Sequence, residues 1–192
     1  MINLIIFGPP GAGKGTQAKL IAEKHQIHHL SSGEILRQEA AGGPLKEKLS
    51  SYLKAGQLVP DDLIIEMVEK IADVQLSTPG TIFDGYPRTL DQAKSLDKLF
   101  SQKKVSPATV INLCLEENEA TERILLRGQH SGRTDDNLPA IKERFRIYHQ
   151  ETDALLKYYE QQNRVIDIDG SPDIVTVNAT INEVIDKLLA NK

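Results

Sequence analysis

The sequence predicts an α/β fold, a parallel sheet with helices on its faces, and two features carry that prediction. Short apolar runs rich in β-branched residues alternate with longer stretches of helical periodicity, and a glycine-rich loop joins the first run to the first helix. With 192 residues, 40% of them hydrophobic and 26% charged, the chain has the length and composition of one soluble globular domain.

Ile2 to Phe7 opens the fold and stops at Gly8, as expected of a strand buried on both faces. Similar runs lie at Ile82-Phe83, Val110 to Leu115 and Val165 to Ile168. Helical patterns fill the intervals: Thr16 to His25, Asp61 to Val74, Leu90 to Phe100, Asn118 to Arg127, Leu138 to Gln162 and Asp173 to Leu189. Pro60 with Asp61 and Asp62 starts one helix, and Ser171-Pro172-Asp173 starts the last. Two segments stand outside this rhythm: residues 31–59, helical with a break at Gly42-Gly43-Pro44, and residues 128–137.

Composition also excludes. A formal net charge of -4 argues against a nucleic-acid surface, which needs a basic excess. The single cysteine, Cys114, rules out an intramolecular disulfide and a four-cysteine zinc site, and its place in an apolar run predicts a buried core thiol. The N-terminal residues carry no basic region, and no stretch approaches roughly 18 apolar residues. A cytoplasmic protein without a membrane span is expected.

The loop after the first strand reads Gly8-Pro9-Pro10-Gly11-Ala12-Gly13-Lys14-Gly15-Thr16, a GxxxxGK phosphate loop in the context that gives the pattern meaning, strand before and helix after. Its glycines let backbone N–H groups curl around phosphate oxygens, the following helix adds its positive end, Lys14 adds a point charge, and the Thr16 hydroxyl suits Mg²⁺. Gly15 stands where Ser or Thr usually follows the lysine, so the hydroxyl arrives one place late.

In-line phosphoryl transfer spreads negative charge over equatorial oxygens, so positioned cations carry the catalysis. The arginines Arg37, Arg88, Arg123, Arg127, Arg133, Arg144 and Arg146 sit mostly beside glycine or at helix ends, with Arg164 apart. An isolated arginine usually lies on a solvated helix face; motif context sets these apart. Asp84-Gly85-Tyr86-Pro87-Arg88 follows a strand, where ligands of open α/β sheets bind. Asp84 there suits Mg²⁺ held through water, and a turn or cap role is its other reading.

Taken together, Gly8 to Thr16, Ser31-Ser32-Gly33-Glu34-Ile35-Leu36-Arg37, Gly56 to Pro60, and Asp84 to Arg88 with Thr89-Leu90-Asp91-Gln92-Ala93 resemble the adenylate kinases, in order and spacing. Arg123-Ile124-Leu125-Leu126-Arg127 and Ser131 to Asn137 with Arg144 extend the resemblance over essentially the whole chain. It implies one domain over residues 1–192, a P-loop five-stranded parallel sheet flanked by helices. The core would be residues 1–30, 60–127 and 138–192, with a helical NMP-binding arm at 31–59 and a short lid at 128–137. Tyr86-Pro87 looks like the family's cis peptide.

The resemblance implies ATP binding by Gly11, Ala12, Gly13, Lys14, Gly15 and Thr16, with Arg123 near the adenine, Arg127 on the phosphates, and the backbone of Ser171 and Pro172 nearby. It implies an AMP site of Ser32, Gly33, Arg37, Gln57, Leu58, Val59, Gly85, Arg88 and Gln92, with Arg133 and Arg144 clamping the transferred phosphate. Lys14, Arg88, Arg127, Arg133 and Arg144 would be catalytic, with Mg²⁺ at Thr16 and Asp84 and no structural zinc. The reaction implied is reversible transfer from Mg-ATP to AMP, giving two ADP, in a monomer that closes arm and lid to expel water. Gly43, Gly56, Gly128 and Gly132 are candidate flex points and serve equally as plain turns.

Glu34 replaces the Asp frequent in the family, and Ser32 the Thr common in adenylate kinases. The rival readings are a UMP/CMP kinase, a non-catalytic nucleotide-binding switch, and a P-loop kinase for a small hydroxy acid. Thr89 to Ala93 favours the AMP branch, while Glu34 and the short lid lean toward the pyrimidine one.

Overall fold

The computed structural model describes residues 2–43, 45–55, 57–75, 79–131, 133 and 135–190. In chain order the elements are β1 (Ile2–Phe7), α1 (Lys14–His25), β2 (His28–Ser31), α2 (Ser32–Gly42), α3 (Lys46–Ala55), α4 (Asp61–Gln75), β3 (Gly80–Asp84), α5 (Leu90–Lys103), β4 (Thr109–Cys114), α6 (Glu117–Ser131), α7 (Leu138–Glu160), β5 (Val165–Asp169) and α8 (Ile174–Ala190). The strands form one five-stranded parallel sheet in the order β2-β3-β1-β4-β5.

Alternation along the central strand builds two cores. Ile5 and Phe7 face the side where Phe83 and Val110 meet Ile64 and Val68 of α4, Leu96 and Phe100 of α5, and Leu155 and Tyr159 of α7. Leu4 and Ile6 face the opposite side, with Ile82, Ile111 and Ile168 against Ala18 and Ile21 of α1 and Val177, Ile181 and Ile185 of α8. All six residues of β1 are buried, which accounts for its largely apolar sequence; Asn3, the polar exception, donates to Ser106 O and accepts from Thr81 N. A smaller cluster, Ala120, Ile124, Ile141 and Phe145, joins α6 to α7.

β2 is not visible as an apolar run. It is a four-residue edge strand carrying two half-buried histidines, and a strand covered on one edge only has no need of a continuous apolar sequence. Its register nonetheless sets Ser31 beside Asp84 at the end of β3. Ser31 also caps α2, its side chain accepting from Glu34 N at 3.4 Å.

Two expectations are corrected. Cys114 is exposed, because it ends β4 beyond the buried stretch. Helix α6 runs past Arg127 to Ser131, so the segment expected to be a lid begins as helix. Gly128 therefore lies inside α6; a Cβ there would meet Asp136 O at 2.9 Å, so the glycine serves close approach of the returning chain. Gly43 ends α2 with extended backbone, and Gly56 and Gly132, the other two candidate flex points, lie outside the described residues. Among the described residues, no helix is long and apolar enough to cross a membrane.

Candidate active site

A cavity of about 380 Å³ opens over the carboxyl ends of β1, β2 and β3, the edge where parallel α/β sheets receive ligands. One wall is the phosphate loop: Gly11, Gly13, Lys14, Gly15 and Thr16 all line the cavity. Gly8 makes the turn possible, since its φ is 137° and a Cβ would stand 2.6 Å from Leu113 O. Ala12 does not line the cavity; it is buried in the core under the loop.

Lys14 Nζ donates to Gly8 O and Pro9 O, each at 2.8 Å, so the loop folds around its own ammonium. Burial lowers the Lys14 pKa to about 7; Asp84 opposes that shift, while Arg88, Arg144 and Arg127 add to it. Solvent still reaches the side chain from the cleft. A polyphosphate would offset the arginines' share of that shift.

Asp84 faces the loop. Its Oδ2 accepts from Ser31 Oγ at 3.2 Å and lies 3.6 Å from His29 Nε2. Burial would raise the carboxyl, but His29, Lys14 and Arg88 outweigh it and hold the pKa below the usual range. A Cβ at Gly15 would sit 3.2 Å from Asp84 Oδ2, so a Ser or Thr after Lys14 would need that carboxylate to shift by a few tenths of an ångström.

The facing wall belongs to α2, the segment before α4 and the turn after β3. Ser32, Gly33, Arg37, Gln57, Leu58, Val59, Gly85, Arg88 and Gln92 all line the same cavity, with apolar Leu53 and Ile64 beside them. Ser32 Oγ donates to Gly85 O at 2.6 Å, and Arg88 Nε donates to that carbonyl at 2.9 Å. The Tyr86-Pro87 peptide is cis. Arg88 N donates to Gln92 Oε1 at 2.8 Å.

The third wall carries arginines. Arg127 forks onto Asp136, with 2.9 and 2.6 Å bonds, and Arg144 donates to Asp135 at 3.1 Å while lying 3.6 Å from Asp136. Arg127, Arg133 and Arg144 reach the cavity together with Asp135. Burial draws the Arg144 pKa down to about 10, with Asp135 opposing, so it stays charged at neutral pH. The Asp136 side chain is closed to solvent; burial alone would raise its pKa, but Arg127 holds it low.

Arg123, Ser171 and Pro172 are not on this cavity. Arg123 instead donates to Gly170 O at 2.9 Å and Ser171 O at 2.8 Å, tying α6 to the turn after β5. Arg146 pairs with Glu143 on an exposed face of α7 and does not line this cavity. Arg164 is structural, locked to Asp97 and Ala108 O and stacked over Tyr159.

Comparison with known proteins identifies the family. A family model for adenylate kinase matches residues 6–164. A protein named adenylate kinase from Parabacteroides distasonis is 40% identical over 189 residues, covering 98% of this chain and all of that one. One of the same name from Bacteroides thetaiotaomicron is 39% identical over 189 residues, with the same coverage, and one from Porphyromonas gingivalis 37% over 188 residues, 97% of each chain.

The chain belongs to the adenylate kinase family.

Sequence reasoning about this adenylate kinase family member overlooked the acidic partners. Asp135 and Asp136 sit two and three places after Arg133, and that adjacency was the available signal. His29 and Asp61 reach the site only through pairing across the sheet and between helices, which no local pattern reports. The same holds for Ile147, Tyr148, Glu151, Thr152 and Leu155, the α7 residues that floor the cavity.

Proposed function

We propose that the chain transfers the terminal phosphoryl group of Mg-ATP to AMP, reversibly, giving two ADP. The observation that carries this reading is a cavity in which a phosphate loop faces a second wall with its own arginines, apolar lining and amide. A nucleotide switch needs the first wall only; a second wall of Arg37, Arg88, Val59 and Gln92 suits a phosphorylated acceptor with a flat base.

Lys14 and the loop amides hold the donor phosphates, and Arg88, Arg127, Arg133 and Arg144 gather around the group in transit. Arg37 and Ser32 take the acceptor phosphate side, with Gly33, Gln57, Leu58 and Gly85 completing that wall and Gln92 reading the base. Gly11, Gly13, Gly15 and Thr16 line the donor pocket over the buried Ala12, and Arg123, Ser171 and Pro172, which lie off that cavity, are taken to flank the donor adenine. An ionised Asp84 beside the loop and the exposed Thr16 hydroxyl fit Mg²⁺, which keeps most of its water and needs few protein ligands. The ion would neutralise phosphate charge there. We take residues 31–59 and 128–137 as arm and lid over a single core, and the protein as a cytoplasmic monomer acting on ATP, AMP and ADP.

A coupled assay with Mg-ATP and AMP, CMP, UMP or GMP tests this. Rapid ADP formation with AMP alone is expected. Preference for CMP or UMP would move the acceptor to the pyrimidines, and no transfer to any of them would overturn the reading.

A further inference from the structure

Gln92 is 2% exposed yet lines the cavity, and both ends of its amide are already engaged. Its Nε2 donates to Asp61 Oδ1 at 2.7 Å, and its Oε1 accepts from Arg88 N at 2.8 Å. The other oxygen of Asp61 accepts from Thr89 Oγ1 at 2.6 Å, and Thr89 caps α5 by accepting from Gln92 N. Asp61, at the start of α4, thus holds an amide on α5 through a bond between two helices.

A carboxylate only accepts and a backbone N–H only donates, so the two contacts agree on which end of the amide is oxygen. Rotation by 180° would set Nε2 against Arg88 N–H and Oε1 against a carboxylate. One N–H and one lone pair of the amide remain for a ligand. A 6-aminopurine presents a donor at position 6 and a 6-oxopurine an acceptor. Beside it, position 1 is an acceptor in the aminopurine and a donor in the oxopurine, so a locked amide whose lone pair meets position 6 and whose N–H meets position 1 satisfies the first and sets like against like with the second; a free amide turns to suit either.

We propose that Asp61 is a positioning residue that makes the acceptor site selective for 6-aminopurine over 6-oxopurine monophosphates by fixing the Gln92 amide. This rests on the reading of Gln92's wall as the AMP site. Asp61 touches no substrate; it acts through Gln92 and, through Gln92 Oε1, on the backbone of Arg88.

The test is kcat/KM for AMP and for IMP in the unaltered protein, Asp61→Ala, Asp61→Ser and Asp61→Asn, with KM for ATP alongside. Losing the carboxylate is expected to lower the AMP-to-IMP ratio by about 10-fold or more, the size of an effect set by one buried hydrogen bond. KM for ATP should hold. Asp61→Ser, which keeps a polar group at the helix start, should behave as Asp61→Ala and serves if the alanine variant does not fold. Asp61→Asn, whose carbonyl can still accept from Gln92, should recover most of the ratio. A ratio unchanged in folded Asp61→Ala or Asp61→Ser, or one lowered equally in Asp61→Asn, would overturn the inference while leaving AMP kinase activity in place. Lack of turnover with AMP by the unaltered protein would overturn both readings.

Discussion

Lys14 ties the phosphate site to pH. Its ammonium rests on two carbonyls at 2.8 Å, but burial among Arg88, Arg127 and Arg144 brings its pKa from the ordinary 10.5 to about 7, with Asp84 the one carboxylate acting against the fall. A bound triphosphate reverses the balance, since its oxygens favour the charged lysine. At pH 8 the free site would hold roughly 0.1 proton on Lys14 and the bound site nearly one, so binding should take up about 0.9 proton. The sign follows: affinity for ATP falls as pH rises above about 7, by about tenfold for each unit.

Calorimetric titration with Mg-ATP at pH 8, in two buffers of different ionisation enthalpy, counts that proton directly. Phosphate itself is silent there, its second pKa being about 6. Lys14→Met should bind weakly with no uptake. The same displacement bears on folding: the unfolded chain holds more protons than the native one between pH 7 and 10.5, so the empty protein gains stability across that window as pH rises. Equal apparent enthalpies in the two buffers would refute the reasoning.

The other two predictions separate chemistry from scaffold. Arg88→Ala should lower kcat by roughly 10³-fold or more, as expected for a transition-state arginine, with the circular dichroism spectrum unchanged; near-normal turnover would remove Arg88 from its role. Arg164→Met should leave both KM values unchanged but cost about 3–5 kcal/mol, because it leaves a half-buried Asp97 with the Tyr158 hydroxyl but no cation, frees Ala108 O and removes the cation 4.7 Å above Tyr159. For a chain of this size that is a fall in Tm of roughly 6–20 °C by scanning calorimetry, and a loss under about 1 kcal/mol would contradict the assignment.

Much of this was legible before any coordinates. The apolar runs at β1 and β4 and the helices α1, α4, α5 and α8 announce themselves because burial imposes a period on sequence, and the loop from Gly8 to Thr16 because phosphate imposes glycine and lysine at fixed spacing. β2 escaped because an edge strand of four residues with two histidines carries no period. Arg123 and Arg127 look alike in sequence, one turn apart on α6, yet one grips the carbonyls of Gly170 and Ser171 and the other Asp136; only the path of the returning chain decides that. Cys114 misled for the opposite reason: an apolar run reports a buried strand but not where its last residue emerges.

The acidic partners explain how so many cations coexist in a chain of net charge -4. Burial lowers the pKa values of Lys14 and Arg144, and gathering Arg88 and Arg127 around the same cavity lowers them further. Water screens such repulsion poorly inside a cleft. Asp135 and Asp136 offset it with fixed carboxylates, and Asp84 does so at the loop. Replacing those three by neutral residues would leave the cations repelling one another with no ligand present, so the carboxylates keep an electropositive pocket folded and aimed until phosphate arrives. The net charge of the whole chain therefore says nothing about the sign of its site.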